Sequence, residues 1–331
     1  MIHVDWDFLA YEAASLAEER HIDVIHKESG RKKSFANKTE FWGNWRTKSG
    51  GWLGELNQER RAKGLALFSV DEFDIQEIQT SKGMAIAVSV IKTRMDAIFN
   101  KAGTDEHKHY ISQSPSWRIK HSTLLEYKGN RTDLLKPLHL KEVQEYFIRH
   151  LDAVPVTNNL EVDDVVVMEC YKDKENSILC AIDKDAMGTG MIVLNPDKMD
   201  VPQNTEGLGK LWINDKKEVK GWGRKWFYYQ CLAGDSSDNY KPHCFSDVKW
   251  GDKSAYNALD GCSTDKECWQ SMKNSFLHLY PQKKEVTGWR GDIIEIDWKY
   301  VLQEMVDMAH MLRWEGDVIN VDKVLKKMGV V

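Results

Sequence analysis

Acidic residues form three short clusters in the sequence, and the spacing within each cluster can bring carboxylates together. The clusters are Glu161-Val162-Asp163-Asp164, Asp183-Lys184-Asp185 and Gly234-Asp235-Ser236-Ser237-Asp238-Asn239. Glu161 and Asp164 share one face of a predicted helix, and Asp183 and Asp185 point the same way from a predicted strand end. Carboxylates held this close repel one another unless a cation lies between them. With Asp5 after the first predicted strand, the clusters have the composition of an oxygen-ligand site for Mg²⁺ or Mn²⁺.

Each cluster taken alone also has an ordinary structural interpretation. Acids in a first helical turn complement the helix dipole, an Asp-x-Asp segment can be a polar turn, and the loop at 234–239 can be an Asx turn between two helices. The metal hypothesis therefore depends on the three clusters jointly. Other chemistries lack a pattern, because the eleven histidines show no HxxxH or HExxH spacing and neither a P-loop nor a GxGxxG motif occurs.

The elements that must position these acids alternate between strands and helices. Strands are predicted at 2–5, 110–111, 153–156 and 178–182, and helices at 8–20, at 85–99 and from Asn158 or Asn159 onward. The last strand is a continuous apolar run, which is typical of a strand buried on both faces. Alternation of this kind favours an α/β fold with a mostly parallel central sheet flanked by helices, in which ligands bind at the carboxyl ends of strands. Asp5, Asp183 and Asp185 are predicted to lie there.

Two further segments differ in character from this core. Residues 27–63 lose periodicity and are predicted to form a basic, aromatic insertion or helical arch. The segment contains Lys27, Arg31, Lys32, Lys33, Lys38, Arg46, Lys48, Arg60, Arg61 and Lys63, with Trp42, Trp45 and Trp52 between them. The other segment, 221–331, is predicted to be helical, with helices ending near Leu232 and at 252–260, 266–279 and 297–313. We expect a main domain at 1–220, carrying the insertion at about 27–135, and a helical region at 221–331.

Composition bounds the cellular setting and the partners. The 331 residues are 42% hydrophobic, which is enough for one large domain or for a main domain with a smaller companion. Neither a signal peptide nor a membrane span is predicted, and six cysteines without a CxxC pair favour the cytoplasm. A net charge of −5 argues against a nucleic-acid partner, although a carboxylate-rich metal site makes the sum negative while separate basic patches bind phosphates.

The order of the clusters resembles the 5′-nuclease family, which comprises flap endonucleases and 5′→3′ exonucleases with a PIN-like fold. Five motifs spanning roughly residues 1–260 carry the resemblance. They are Asp5, Tyr127-Lys128-Gly129-Asn130-Arg131 and the three acidic clusters. The phage exonucleases look most similar, because Trp117-Arg118 and the segment Met311-Leu312-Arg313-Trp314 also resemble theirs.

The resemblance implies a PIN-like domain followed by a helix-three-turn-helix DNA-binding region. It implies two Mg²⁺ or Mn²⁺ ions, with ligands of the first at Asp5, Glu161, Asp163, Asp183 and Asp185, ligands of the second at Asp235 and Asp238, and Asp164 in the shell that both share. Lys128 and Arg131 match the cationic pair that contacts the scissile phosphate. Tyr127 is expected either to stack on a base or to pack the loop.

The sequence departs from the family pattern at several positions. Gln113 stands where an acid is expected, so the first metal site would rely more on Asp7 or on water, and Trp6 stands where glycine is common. A segment at 240–244 replaces the glycine-rich hairpin that binds potassium in the family. DNA contacts are expected from a basic run, which could equally be a solvated surface, and from a helix start resembling the family's DNA-binding hairpin. These residues are Lys216, Lys217, Lys220, Arg224 and Lys225 in the run, and Gly251, Lys253 and Ser254 at the helix start.

We therefore expect a structure-specific 5′→3′ exonuclease or flap endonuclease that hydrolyses DNA with two metal ions. The expected setting is phage DNA replication, through primer removal, or recombination, in the host cytoplasm. Its substrates would be duplex 5′ ends, flaps and RNA-primed ends, with replication proteins as possible partners and no membrane. Two alternatives stay open, a PIN-type ribonuclease and a protein of the same fold that binds branched DNA without cutting it.

Overall fold

The computed structural model describes residues 1–44, 47, 49–131 and 134–331. Trp45, Arg46 and Lys48 of the predicted basic insertion lie outside the described residues. The chain divides into two compact units. The first unit comprises Met1–Leu9, Thr93–Leu135 and Gln144–Val331, and the second comprises Ala10–Lys92 and Lys136–Val143. This division differs from the predicted one, because the carboxyl-terminal helices belong to the same unit as the first strand.

Helices and strands are interspersed along the chain. The strands are β1 (Ile2–Asp5), β2 (Glu18–His26), β3 (Lys32–Phe35), β4 (Phe73–Ser81), β5 (His107–Ser112), β6 (Val154–Val156), β7 (Ile178–Cys180), β8 (Ile192–Leu194), β9 (Gln203–Asn204), β10 (Lys210–Ile213), β11 (Val219–Trp222), β12 (Lys284–Thr287) and β13 (Ile293–Ile296). The helices are α1 (Asp7–Leu16), α2 (Lys38–Trp42), α3 (Gly51–Ala62), α4 (Met84–Ala102), α5 (Arg118–His121), α6 (Leu140–His150), α7 (Val162–Lys172), α8 (Arg224–Ala233), α9 (Asp252–Asp260), α10 (Asp265–Leu279), α11 (Trp298–Ala309) and α12 (Val321–Lys327). No helix in the described ranges is long and apolar enough to cross a bilayer.

The first unit is built on a six-stranded sheet in the order β6-β5-β1-β7-β8-β9. All neighbouring pairs are parallel except β8 and β9. This confirms the predicted α/β class with a mostly parallel central sheet. All four residues of β1 are buried, since the strand lies between β5 and β7. The chain builds the sheet outward from β1 in both directions, so the strand order reverses beside β1, and in open α/β sheets such a position is where ligands bind.

Helix α7 follows β6 and begins later than predicted. Asn158 and Asn159 do not cap it, because both adopt left-handed backbone with φ of 61°, which asparagine tolerates better than most residues. Glu161 is the N-cap residue instead. Val166 and Val167 are buried in the core between this helix and the sheet, so the packing of α7 fixes where its acidic first turn lies.

The carboxyl-terminal helices α8 to α12 share a second core within the first unit. Buried side chains of this core include Trp226, Trp269, Phe276, Leu302 and Met305. The predicted helix at 252–260 coincides with α9, while the helix predicted at 297–313 ends at Ala309.

The second unit contains a separate antiparallel sheet in the order β3-β2-β4. Its core joins this sheet to α2 and α3 through Ile22, Val24, Phe35, Phe41, Leu53 and Phe73. The helix predicted at 8–20 ends at Leu16, and β2 starts at Glu18. The basic segment thus lies outside the central sheet, as predicted, but its strand β3 belongs to a sheet that the sequence did not indicate.

Candidate metal centre

The predicted acidic residues converge at the carboxyl edge of the central sheet, within the first unit. Asp5 ends β1, and Asp183 follows β7 and caps the short 3₁₀ turn Lys184–Gly188. Glu161 and Asp163 open α7, which follows β6. The strands are parallel, so their carboxyl ends meet at one edge and bring together acids that are far apart in the sequence.

Four of these acids, Asp5, Asp7, Asp163 and Asp185, form what we call the cation-free group. In the described part of the chain, no Lys, Arg or His side chain forms an ion pair with any of them. The carboxyls of Asp5 and Asp163 are within hydrogen-bonding range of each other. Burial, together with the neighbouring Asp7, raises the pKa of Asp5 to about 7. Burial and the charge of Asp5 raise the pKa of Asp163 well above its usual range.

Asp163 provides the clearest sign that this group is poised for a ligand. Its Oδ1 atom is buried and has no hydrogen-bond partner. A buried carboxylate oxygen without a donor carries a desolvation cost that is offset only by a proton or a cation. Asp163 therefore keeps an unsatisfied, buried oxygen in surroundings where Asp5 and Asp183 already add negative charge.

Asp185 is positioned by helix α8. Its carboxylate accepts a hydrogen bond from Gln230 Nε2, and Trp226 Nε1 donates to the Lys184 carbonyl at 2.9 Å. Asp183 Oδ1 accepts from the Asp185 backbone N–H at 2.9 Å. Burial and the charge of Asp183 raise the pKa of the Asp185 carboxyl. Sequence reasoning missed both Trp226 and Gln230, because nothing in the sequence of α8 indicates which residues face the Asp183 turn.

The acids that pair with a cation form what we call the cation-paired group, Glu161, Asp164, Asp235 and Asp238, and the exposed Asp183 is assigned to neither group. Lys128 Nζ lies 2.5 Å from Glu161 Oε1, Arg131 Nη2 lies 2.7 Å from Asp238 Oδ1, and Lys184 Nζ lies 2.7 Å from Asp235 Oδ2. Burial opposes ionisation of Glu161, yet Arg118 and Lys128 lower its pKa to about 2. Lys128 and Arg131, predicted to contact phosphate, are thus placed beside the acids.

Asp164 does not fit the predicted role of metal ligand. It is fully buried, and both oxygens are occupied by donors. Arg118 binds it through two nitrogens at 2.9 Å each, Trp117 Nε1 donates at 2.8 Å, and the Leu312 backbone N–H donates at 3.0 Å. Four hydrogen bonds fill the lone-pair sites of a carboxylate, so Asp164 supports the site from behind instead of binding an ion.

Tyr127 packs the loop, and the base-stacking alternative is wrong. The side chain is 4% exposed, so no face of the ring is available to a base. Its hydroxyl donates to Asp238 Oδ2 at 2.8 Å. Tyr127 therefore joins the YKGNR segment to the loop that carries Asp235 and Asp238.

The cations of the predicted basic run at 216–225 differ in exposure and in their partners within the protein. Lys225 is 7% exposed and donates to the Cys262 carbonyl at 2.6 Å, so the prediction that it contacts DNA is wrong. Arg224 is held in two hydrogen bonds of 2.8 Å by Asp265, and Lys220 pairs with Glu218 at 3.0 Å. Lys216 and Lys217, between β10 and β11, are exposed, as is the paired Arg224. At the predicted helix start Gly251 caps α9, Lys253 is exposed and Ser254 is partly buried.

Gln113 and Asp7 both adjoin Ser112 at the end of β5, since Gln113 follows Ser112 in the chain and Asp7 is hydrogen-bonded to it. Gln113 follows β5 directly and is exposed. Asp7 accepts from the Ser112 backbone N–H at 2.9 Å and from the Ser112 hydroxyl. Asp7, which the sequence offered only as a substitute, is thus fixed among the acids. Trp6 is fully buried against Phe147 and belongs to the core.

The donor set fits a hard divalent cation, although its geometry is not that of a finished metal site. In the ranges that the structure describes, no three His, Cys, Asp or Glu side chains are arranged so that they could hold an ion as they stand. The chemistry nevertheless agrees with Mg²⁺ or Mn²⁺, because the converging groups are all carboxylates. The pKa shifts of the cation-free group and the unsatisfied Asp163 oxygen both indicate a need for positive charge.

No protein-family model matches this sequence, and no curated protein is significantly similar to it. The fold of the first unit and the charge arrangement of its carboxylates are therefore the observations on which a function can be argued.

Proposed function

We propose that this protein is a metal-dependent 5′ nuclease with a PIN-like fold. It would act as a structure-specific 5′→3′ exonuclease or flap endonuclease that hydrolyses DNA phosphodiesters with two Mg²⁺ or Mn²⁺ ions. The observation that carries the proposal is the cation-free group, in which Asp163 keeps a buried, unsatisfied oxygen beside Asp5. The resemblance to phage exonucleases supports a role in phage DNA replication or recombination.

The carboxylates fall into two sets of ligands, one for each ion. Asp5, Asp7, Asp163, Asp183 and Asp185 would hold the first ion with Glu161 at its border, and Asp235 and Asp238 would hold the second. Bound ions of this kind lower the pKa of an attacking water and neutralise the leaving oxygen. Gln230 keeps Asp185 oriented, and Ser112 does the same for Asp7.

Lys128 and Arg131 would receive the scissile phosphate. Both cations already lie at acids of the centre, at 2.5 Å from Glu161 and 2.7 Å from Asp238. Arg131 is exposed, so a phosphate can reach it. Positive charge held beside the reacting phosphate stabilises the negative charge that develops on its oxygens.

Duplex DNA would be bound by residues outside the metal centre, which contact its backbone phosphates. Lys216, Lys217 and Lys253 are exposed, and the amino terminus of α9 begins at Gly251. Backbone N–H groups at a helix start and mobile lysines are both suited to phosphate contacts without sequence preference. Such contacts explain how an acidic protein could bind DNA.

A cleavage assay on two substrates tests the proposal. A 5′-labelled flap duplex and a single-stranded RNA are incubated with Mg²⁺ and then with chelator. We expect metal-dependent cutting of the flap duplex and none of the RNA. Cutting of RNA alone would replace the proposal with a PIN-type ribonuclease, and tight binding of the flap without any product would indicate a branched-DNA-binding protein.

Asp183→Ala separates metal binding from DNA binding. Asp183 is exposed at the strand edge and touches no predicted DNA contact, so we expect the variant to lose cleavage while it binds the flap duplex nearly as well as the unmodified protein. Loss of DNA binding with an unchanged cleavage rate per bound complex would show that Asp183 has been assigned wrongly.

A further inference from the structure

Arg118 is a buried cation, and the N–H donors of its guanidinium all bond to acceptors within the protein. The residue is 3% exposed. Nη1 donates to Glu161 and to Asp164 Oδ2, and Nη2 donates to Asp164 Oδ1. An arginine has five N–H donors in one rigid plane. Three of them hold acids at the start of α7, which leaves two.

The remaining two donors reach the end of α11. Nε donates to the Met308 carbonyl at 3.1 Å, and Nη2 donates to the His310 carbonyl. The Leu312 backbone N–H returns to Asp164 Oδ1 at 3.0 Å. The orientation of the guanidinium plane is thus set by carbonyls about 190 residues farther along the chain. Because the guanidinium is rigid, the N–H that bonds to Glu161 is oriented by the same contacts.

A compact turn at residues 310–317 holds those backbone groups in place. Asp317 is 3% exposed and closes the turn. It accepts from His310 Nε2 at 2.9 Å, from the Arg313 backbone N–H at 3.0 Å, and from Arg313 Nε and Nη2 at 2.7 and 2.8 Å. None of these contacts involves an acid of the metal centre.

We propose that the turn at 310–317 is a positioning element of the metal centre, acting through Arg118 and Asp164 on Glu161. The proposal rests on the proposed metal-binding function. The turn fixes the carbonyl of His310 and the amide of Leu312, these fix the Arg118–Asp164 pair, and the pair fixes the carboxylate of Glu161 at the border of the ion. Outer groups that orient a ligand without touching the metal affect metal affinity through geometry.

Asp317→Asn tests the proposal at a distance from the centre. The variant keeps the shape of the side chain and loses the charge that closes the turn. We expect it to weaken Mn²⁺ binding about tenfold, as loss of an orienting outer group does, measured by calorimetric titration of the whole protein. Asp265→Asn is the matched control. Asp265 also accepts two hydrogen bonds from one arginine, Arg224, and a third from the Tyr228 hydroxyl, but it has no described hydrogen bond to an acid of the centre.

A thermodynamic cycle separates positioning from general damage. In a Glu161→Gln background, Asp317→Asn should no longer change Mn²⁺ affinity, because coupled effects are lost once the shared residue is removed. Arg118→Lys keeps the charge but cannot hold three partners in one plane, so it should weaken Mn²⁺ binding at least as much as Asp317→Asn.

The outcomes distinguish the two proposals. Unchanged Mn²⁺ affinity in folded Asp317→Asn, or an equal loss in Asp265→Asn, would overturn the positioning role and leave the nuclease proposal standing. If Asp317→Asn does not fold, an unchanged affinity in Arg118→Lys overturns the role instead. Absence of Mn²⁺ binding by the unmodified protein would overturn both.

Discussion

The cation-free and cation-paired groups lie at the same edge of one sheet, yet their charges are balanced in opposite ways. Asp5 and Asp163 approach each other without a cation, and burial raises the pKa of both. Glu161 is as closely surrounded by protein, but Arg118 and Lys128 lower its pKa to about 2. Acidic side chains thus meet opposite electrostatic surroundings within one centre, although burial still raises the pKa of Asp238 in the cation-paired group.

This difference indicates which acids await an external ligand. An acid with its own lysine or arginine is already neutralised, and a metal ion must displace that partner or share the acid with it. Acids with raised pKa values bind protons when no metal is present, and a divalent cation competes for the same oxygens. We therefore expect metal binding to depend most on the cation-free group.

The largest expected effect comes from replacing an acid of the cation-free group, Asp163, with the neutral amide asparagine. Asp163→Asn should reduce flap cleavage by about a thousandfold, the order of magnitude lost with one preorganised charge contact, and should weaken Mn²⁺ binding strongly. Its melting temperature without metal should stay equal or rise, because burial and Asp5 disfavour a charge at position 163, and an amide never carries one. Cleavage rates and thermal denaturation measure the two effects.

Asp235→Asn is the counterpart in the cation-paired group. It leaves the ammonium of Lys184 without its partner at 2.7 Å, so the metal-free protein should be destabilised slightly or unchanged, since Lys184 is half exposed. A metal-free melting temperature that falls more in Asp163→Asn than in Asp235→Asn would contradict the division into two groups.

A second, intermediate effect is the dependence of stability on pH. The pKa of Asp5 is about 7 in the folded protein, against an ordinary value of 3.8, so the folded state binds a proton that the unfolded state releases. Metal-free stability should therefore rise as pH falls from 8 to 6.5, by up to roughly 1.4 kcal/mol per pH unit for each such group. Denaturant unfolding at several pH values measures this slope.

The pH range of this slope is limited by a second titrating group, His109, and a substitution of Asp5 provides the control. Burial lowers the pKa of His109 to about 3, so protonation of the unfolded histidine begins to destabilise the fold below its ordinary value of 6.5 and sets the lower limit of the window. Asp5→Asn should flatten the slope between pH 6.5 and 8. Saturating Mg²⁺ should also flatten it, because the ion keeps the carboxylates deprotonated. A slope unchanged by both would remove Asp5 from the explanation.

The sequence predicted the parts of this centre that depend on local pattern. Apolar runs ending in acids placed Asp5 and Asp183 at strand ends, and parallel strands then brought them together. The partners were not predictable in the same way, since Arg118 meets Asp164 and His310 only after the chain has folded. The antiparallel sheet of the second unit was also missed, because the start of β2 was assigned to the helix predicted at 8–20 and because β3 has little apolar signal. Of the four residues of β3, only Phe35 is buried.

The smallest expected effect concerns Lys184, which lies between two acids of the Asp183-Lys184-Asp185 segment but pairs with Asp235. Its ammonium occupies one oxygen of an acid assigned to the second ion, so an arriving cation must displace it. Lys184→Gln should tighten binding of the second Mn²⁺ by about two- to fivefold, because a half-exposed ion pair contributes roughly 0.2–1 kcal/mol. Lys299→Gln is the control, since Lys299 is also about half exposed and pairs with Asp322 at the same distance of 2.7 Å, and neither residue is an assigned ligand. A gain in affinity cannot arise from damage to the fold, so unchanged or weaker binding in Lys184→Gln would show that Asp235 belongs with the structural pairs of the molecule and not with its metal ligands.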